Sequence, residues 1–111
     1  MTDFYKYDVI VVKFPFASSL KYKARPAVVI SSDLYNKTSR ETLIILAISS
    51  QLENKLDIEL VIKDWKESNL LKLSIFKSSI ATIEKNYVII KIGSLSIYDR
   101  KNLDKLINDI C

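Results

Sequence analysis

The sequence predicts a mainly β protein, a small antiparallel β-barrel followed by one C-terminal helix, and three observations predict it. The chain has 16 Ile and 7 Val but only one Gly and two Pro, and β-branched residues favour strands. Short apolar segments alternate with polar turns over most of its length, which is typical of antiparallel strands. The C-terminal segment changes to helical spacing. With 111 residues in total, residues 1–111 are expected to form a single domain.

Composition and charge exclude several kinds of site. The chain has no histidine, which removes the usual general base near neutral pH, the commonest metal ligand and every Ser–His or Cys–His nucleophile pair. Its single cysteine, Cys111, allows no disulfide framework and no multi-cysteine metal cluster. We therefore expect no metal and no cofactor. Lys and Arg exceed Asp and Glu by 17 to 13, a net charge of +4, which is a mild indication of a polyanionic partner.

The sequence shows no targeting or membrane segment. The N-terminus, Met1 to Lys6, is charged and lacks the apolar core of a signal peptide. No apolar run is long enough to span a bilayer. A reduced, soluble, cytoplasmic protein is therefore expected, which fits the single cysteine.

Five or six strands are expected, separated by polar turns. Residues 8–14 (DVIVVKF) form the first, and Pro26 opens the second, an apolar run over residues 27–30. Residues 42–49 (TLIILAIS) are apolar on both faces, which predicts a central strand. The remaining strands are predicted at residues 57–62, 73–83 and 87–92, the last two joined by the hairpin-length connection 84–86.

The C-terminal segment predicts an amphipathic helix that begins after Ser96. Asp99 follows this serine by three residues, the capping-box arrangement that satisfies the first backbone N–H groups of a helix. The charged residues of the helix, Asp99 included, are expected on its solvent face. One helical turn is also expected after Ser32. The apolar positions that recur at helical spacing are Leu103, Leu106, Ile107 and Ile110.

Three cations alternate along the entry to the second strand: Lys21, Lys23 and Arg25. In an extended chain they face one side about 7 Å apart, the spacing of a row that follows the phosphates of a nucleic acid. Arg25 directly precedes the apolar run, so it is held more rigidly than a loop residue, and its planar fork suits phosphate oxygens. Two structural alternatives remain open: the lysines only keep a loop solvated, or Arg25 forms an ion pair with Asp33 or Glu41.

Ser49, Ser50 and Gln51 directly follow the apolar third strand. Such residues are often only turn formers. Together with Arg25, however, they provide a cation, two hydroxyl donors and an amide, with no carboxylate or imidazole. That set stabilises an anionic transition state but contains no conventional base. RNA is a substrate that tolerates this, because its own 2′-hydroxyl is the nucleophile.

These residues lie in segments that resemble the MazF/PemK family of bacterial toxins. Residues 8–16 (DVIVVKFPF) are similar to the opening strand of the family, and residues 25–31 (RPAVVIS) to the segment that follows. The resemblance covers nearly the whole chain in the family's order, and RPAVVIS followed by SSQ is its most specific part. The other matching segments are residues 35–38 (YNKT), 47–51 (AISSQ), 70–74 (LLKLS) and 92–96 (IGSLS).

The resemblance implies a small SH3-like β-barrel with a C-terminal helix, acting as a homodimeric, metal-independent endoribonuclease that a cognate antitoxin protein silences. The implied substrate is single-stranded RNA. The family's functional arginine falls on Arg25 and its functional threonine on Ser49. Our hypothesis for the reaction is attack by the 2′-hydroxyl, which leaves a 2′,3′-cyclic phosphate and a 5′-hydroxyl. Contact with RNA is further expected from Ser50, Gln51, Lys21 and Lys23.

The chain departs from the family pattern in three places. Tyr7 stands where a glycine usually precedes the first strand, Ser18 and Ser19 replace loop glycines, and Ser49 replaces threonine. Serine keeps the hydroxyl but lacks the β-methyl that restricts χ1, so a less well oriented donor is expected. The same barrel leaves two other functions open. One is a CcdB-like toxin that binds DNA gyrase, chiefly through the terminal helix, and the other is an inactive module that only binds RNA.

Overall fold

The computed structural model describes residues 3–14 and 23–111. In chain order its strands are Asp8–Phe14 (β1), Lys23–Val29 (β2), Thr42–Ser49 (β3), Ile75–Glu84 (β4) and Val88–Ser94 (β5). Its helices are Asp33–Thr38 (α1) and Ile97–Ile110 (α2), and a short 3-10 helix, Lys85–Tyr87, joins β4 to β5. All pairings between these strands are antiparallel. The predicted class, mainly β with a terminal helix, is therefore confirmed.

The five strands form one sheet in the order β4-β3-β2-β1-β5. The predicted hairpin between the last two strands is wrong, because β5 pairs with β1 and β4 pairs with β3. Since a 3-10 helix of only three residues joins these two edge strands, their ends lie close together and the sheet is curled. Among the described residues no pairing joins β4 to β5, so the sheet is open where a closed barrel was expected.

Apolar side chains pack on both faces of the sheet. Fully burying one such side chain contributes roughly 1.5–3 kcal/mol, so both clusters stabilise the sheet. β3 contributes side chains to both clusters and pairs with a strand on each of its edges, as its apolar sequence predicts. The cluster under α2 includes Val9, Val28, Leu46, Phe76, Leu103 and Leu106. The cluster on the other face includes Ile10, Val12, Ala27, Leu43 and Ile45.

Both helices begin where the sequence predicts. The Ser32 hydroxyl accepts the Tyr35 N–H at 3.1 Å, and the Ser96 hydroxyl accepts the Asp99 N–H at 3.2 Å. The placement of Asp99 on the solvent face is wrong. It is fully buried, because its carboxylate accepts two backbone N–H groups of the turn before β4. Neither helix of the described chain is long and apolar enough to cross a membrane.

Tyr7, which precedes β1, has a backbone conformation that favours glycine, with a φ of 77°. Its side chain makes contacts that glycine lacks. The hydroxyl donates to the Asp104 carboxylate, 2.9 Å from both oxygens, and the Arg100 guanidinium carbon lies 5.0 Å from the ring centre. Burial, followed by the hydrogen bond to Asp104, raises the pKa of the Tyr7 hydroxyl above its ordinary value. Tyr7 therefore ties the start of β1 to α2.

The strand predicted at residues 57–62 is absent. This segment makes turns and a single isolated bridge to β4. Glu59 explains the difference, because its side chain is only 1% exposed and takes up backbone donors. Its carboxylate accepts the Leu56 N–H at 2.9 Å and the Ser78 N–H at 2.7 Å. These bonds fold the segment back on itself and fasten it to β4 without a ladder of backbone pairs.

The Glu59 carboxylate makes the stability of the fold depend on pH. Burial by itself raises the pKa of this carboxyl, but hydrogen bonds from Leu56 and Ser78 and the Lys77 ammonium, 3.2 Å away, outweigh burial. They lower the pKa from 4.5 to about 2. Because the folded pKa lies below the unfolded one, the stabilisation is complete above about pH 4.5 and is lost as the pH falls towards 2.

We expect Glu59→Gln to lower the free energy of unfolding by roughly 3 kcal/mol at pH 7. At pH 2.5 the difference in unfolding free energy between the variant and the wild type should shrink by more than half, because most of the stabilisation by the ionised wild-type carboxylate is lost at that pH. Urea titrations at the two pH values measure both differences. Glu53→Gln, in the exposed loop after β3, is the matched control and should change little. A difference of the same size at both pH values would contradict this prediction.

Candidate functional site

A cleft of about 570 Å³ lies at the end of the sheet where β2 begins and β3 ends. β2 and β3 supply one wall, and the turn and loop before β4 supply the other. The structure brings five of the six site residues named from the sequence to this cleft, and the sixth, Lys21, lies outside the described residues. The polar and charged lining residues are Lys23, Arg25, Ser49, Ser50, Gln51, Asn69, Lys72 and Ser74.

Arg25 on β2 and Ser49 on β3 both line the cleft at this end of the sheet. The described pairing of β2 with β3 ends at Ala27 and Ala47, two residues from Arg25 on one strand and from Ser49 on the other. Both residues lie within strands that also pair with a further neighbour, β1 and β4. The structure extends β2 back to Lys23, so Arg25 lies within a strand and not at its first residue.

The charged side chains of the cleft lining are all cations: Lys23, Arg25 and Lys72. Lys23 and Arg25 are two residues apart on β2 and so share a face, while Lys72 comes from the opposite wall. In the part of the chain that the structure describes, no carboxylate lines the cleft, and no group of three His, Cys, Asp or Glu could hold a metal ion. The cleft therefore attracts anions.

The Arg25 side chain is exposed and available to a ligand. Within residues 3–14 and 23–111 it has no hydrogen-bond or ion-pair partner, and both ion pairs found there involve other residues. Neither acidic residue considered as a structural partner pairs with it. Asp33 instead accepts the backbone N–H of Lys6. No described carboxylate neutralises the guanidinium, which leaves its full charge to the cleft.

The Ser49 hydroxyl is oriented by its own turn. Its Oγ accepts the Gln51 N–H at 3.1 Å, a local serine turn, and its O–H remains available to donate. Ser49 is half-buried, whereas Ser50 and Gln51 are exposed. Serine lacks the β-methyl of threonine, but this hydrogen bond restricts the same side-chain rotation. The turn thus provides part of the orientation that the methyl group would provide.

The turn of residues 63–70 supplies the first part of the far wall and is fastened to β5 and α2. The Ser68 hydroxyl and the Asn69 side-chain amide each donate to a backbone carbonyl of β5, at 3.1 and 2.6 Å. The turn lies close against β5, since a Cβ on Gly93 would lie 2.8 Å from the Ser68 carbonyl oxygen. Asp99 holds the start of the turn through its two backbone hydrogen bonds. This part of the far wall is therefore held in place.

Three polar residues of the far wall, Asn69, Lys72 and Ser74, are missing from the sequence-based site. Lys72 lies in the LLKLS segment, and a lysine inside that family-like segment is the signal that could have pointed to it. No sequence pattern points to Asn69. Its place in the cleft depends on how the turn docks against β5, which is a property of the folded chain.

The fold is shared by solved endoribonuclease structures. One, from a mycobacterial species and solved in complex with its cognate antitoxin, is 12% identical over 99% of this chain and 94% of its own, with a TM-score of 0.75. Another mycobacterial endoribonuclease is 11% identical over 99% of this chain and 92% of its own, with a TM-score of 0.75. At these identities the likeness establishes the shared fold. No curated protein is a significant match to the sequence.

The family model matches residues 5–111, which include every lining residue of the cleft. The chain belongs to the PemK-like, MazF-like toxins of type II toxin–antitoxin systems. The family predicted from the sequence is therefore confirmed, and with it the predicted class of enzyme, an endoribonuclease.

Proposed function

We propose that the protein is the toxin of a type II toxin–antitoxin pair that cuts single-stranded RNA, with residues 1–111 acting as one domain in the cytoplasm. The observation that carries the proposal is that Arg25 of β2 and Ser49 of β3 line one cleft, whose described lining holds cations and no carboxylate. The charge on a phosphodiester increases at the transition state of its cleavage. Fixed donors and cations in such a cleft stabilise that charge.

The reaction uses the nucleophile that RNA itself carries. The 2′-oxygen attacks the adjacent phosphorus and forms a new P–O bond, and the bond from phosphorus to the 5′-oxygen of the next nucleotide breaks. The 2′-hydroxyl loses its proton to solvent and the leaving 5′-oxygen takes one up. The products are a 2′,3′-cyclic phosphate and a 5′-hydroxyl. Arg25 stabilises the charge on the non-bridging oxygens, and as a guanidinium it acts as a donor and not as a base.

The other residues of the cleft position the substrate. Ser49 donates to the same non-bridging oxygens and holds the phosphate in line with the leaving group. Lys23 and Lys21 contact the neighbouring phosphates, and Ser50 and Gln51 contact the RNA at the exposed rim. The proposal involves no metal ion or cofactor.

The proposal includes two protein partners, a cognate antitoxin and a second copy of the chain. The mycobacterial structure solved with its cognate antitoxin supports the first, and a cationic cleft suits an acidic segment of such a protein. The homodimer rests on the family likeness. Light scattering on the purified chain should give twice its mass of 12.8 kDa, and a monomer would contradict this part of the proposal.

Incubating the purified full-length protein, free of antitoxin, with a varied pool of single-stranded RNA tests the enzymatic function. With EDTA present we expect cleavage and 5′-hydroxyl ends, and no cleavage of a substrate with 2′-deoxyribose at the cut position. An intact RNA pool would overturn the function. RNA binding without product ends would then support the inactive module. Toxicity without cleavage, abolished by substitutions in α2, would support binding of gyrase.

Replacing Ser49 by alanine is expected to reduce kcat for RNA cleavage roughly 10²–10³-fold, the usual effect of losing one transition-state donor. KM should change little, because the donor matters most as charge builds on the phosphate oxygens. Initial rates on a defined RNA measure both constants. Ser49→Thr keeps the hydroxyl and should retain activity, and Ser79→Ala, on an exposed part of β4, is the matched control. A Ser49→Thr variant as slow as Ser49→Ala would argue against the donor role.

A further inference from the structure

Asn69 is held at the far wall of the cleft by its backbone and by its side chain. Its φ of 63° lies in the left-handed region, which asparagine tolerates better than most residues. Its backbone N–H donates to the Lys66 carbonyl at 3.0 Å, and its side-chain Nδ2 donates to the Ile92 carbonyl at 2.6 Å. Both Asn69 and Ile92 line the cleft, so this side-chain bond lies at the cleft wall.

The bond to Ile92 also fixes the acceptor atom of the same amide. A backbone carbonyl accepts hydrogen bonds and cannot donate them, so the amide nitrogen is the atom that faces it. The other terminal atom, Oδ1 of Asn69, has no hydrogen-bond partner within the described residues. Because the amide group is planar and its nitrogen is anchored, Oδ1 is an acceptor with a defined direction.

An anchored acceptor differs from the other polar groups of the lining. Lys23, Arg25 and Lys72 can only donate, and the hydroxyls of the lining serines can rotate between donating and accepting. Gln51 carries the other lining amide and is exposed like Asn69, but its side chain has no hydrogen-bond partner in the described chain. Phosphate oxygens are themselves acceptors and do not bind the Asn69 oxygen. The base edges of RNA do offer N–H donors, on exocyclic amines and on ring imino groups.

We infer that Asn69 is a specificity-determining residue, which accepts a hydrogen bond from a base N–H of a nucleotide bound in the cleft. The inference rests on the proposed function for the presence of RNA there. A fixed acceptor favours a base that presents an N–H at that place and disfavours one that presents a carbonyl or an unprotonated ring nitrogen. Its loss therefore relaxes the base preference at one position, while the phosphate contacts of the cations remain.

The test uses Asn69→Gly, which removes the side chain and keeps the fold, because glycine adopts this backbone conformation without strain. Full-length wild type and variant each select from a randomised pool of 2′-fluoro oligonucleotides, which lack the attacking hydroxyl, and the bound sequences are read. We expect the wild type to enrich one base at one position, and we expect that enrichment to be about five- to tenfold lower in the variant. Asn54→Gly, exposed and outside the cleft lining, should keep the wild-type profile.

Identical base profiles for wild type and Asn69→Gly would overturn the inference, and so would a wild type with no base preference. A uniform loss of binding to all sequences would assign Asn69 to the shape of the wall alone and would also overturn it. Cleavage of unmodified RNA is measured in parallel. If unmodified RNA stays intact while the two profiles differ, the proposed function fails and the inference about base binding holds.

Discussion

Replacing Arg25 by alanine is expected to slow RNA cleavage on the order of 10³–10⁵-fold, the range found when an arginine stabilises a transferring phosphoryl group. The guanidinium lies in a cleft whose described lining contains no carboxylate. Under the proposed function it binds the phosphorane more strongly than the ground-state phosphodiester, so the loss should fall on kcat more than on KM. Stability should change little, because Arg25 is exposed and has no partner among the described residues. Single-turnover kinetics and thermal melts measure the two effects.

Two further variants separate the charge of Arg25 from its geometry. Arg25→Lys keeps a positive charge but loses the planar fork, and it should recover only part of the rate. Arg40→Ala removes an exposed arginine from the connection between α1 and β3, and it should cleave at the wild-type rate. An Arg25→Ala variant as fast as Arg40→Ala would remove Arg25 from the reaction. A variant that unfolds would assign Arg25 a structural role.

Some elements of the fold could be predicted because a local pattern specifies them. β3 has the same bounds in the prediction and in the structure, Thr42–Ser49, since its run of apolar residues supplies side chains to the clusters on both faces of the sheet. α2 begins after Ser96 because that hydroxyl satisfies a backbone N–H of the first turn. Neither feature needs information from distant parts of the chain.

Two of the errors in the predicted fold share a physical cause, which is that a strand needs a neighbour. Alternation at residues 57–62 shows which side chains could be buried on one face, but the buried Glu59 carboxylate accepts the backbone N–H groups of Leu56 in its own segment and of Ser78 in β4 instead. The short connection between β4 and β5 is compatible with a hairpin, but β5 pairs with β1 across the curled sheet. Both outcomes depend on the arrangement of the whole sheet and not on local spacing.

For the same reason, one wall of the cleft could be predicted and the other could not. Arg25 and Ser49 belong to strands that local patterns specify, and the antiparallel pairing of β2 with β3 brings the start of one strand to the end of the other. Asn69 lies in a turn that Asp99 holds and Lys72 follows it, and the hydrogen bonds that Asp99 accepts span 36 and 35 residues of sequence. The sequence pattern of α2 predicts Asp99 on the solvent face, so it gives no indication that Asp99 contacts that turn.

Replacing Asp99 by alanine is expected to lower the free energy of unfolding by about 3–5 kcal/mol. The carboxylate accepts the backbone N–H groups of Lys63 and Asp64 at 2.9 Å each, and the Ser96 hydroxyl lies 3.2 Å from one of its oxygens. Alanine leaves both N–H groups without a partner, at a cost of about 1–3 kcal/mol each. It also removes a negative charge from the first turn of α2, where the helix dipole favours one by about 0.3–1 kcal/mol.

Urea titrations measure this loss of unfolding free energy, and two further variants on the same helix serve as comparisons. Asp99→Asn keeps one acceptor oxygen but turns an NH₂ group towards a backbone N–H, so it should recover only part of the stability. Asp109→Ala removes an exposed carboxylate from the last turn of α2, where a negative charge is unfavourable. It should leave stability unchanged or slightly raised. A loss as large as that of Asp99→Ala would point to a general effect of charge on the helix.

The two walls of the cleft should also respond differently in molecules that remain folded. Loosening the turn would move Asn69 and the neighbouring Lys72 in the far wall, but would leave Arg25 and Ser49 on the paired strands. At a temperature where Asp99→Asn is still folded, we therefore expect a raised KM for RNA with a kcat close to that of the wild type. A fall in kcat at unchanged KM, the pattern expected of Arg25→Ala, would mean that the far wall takes part in the chemistry itself.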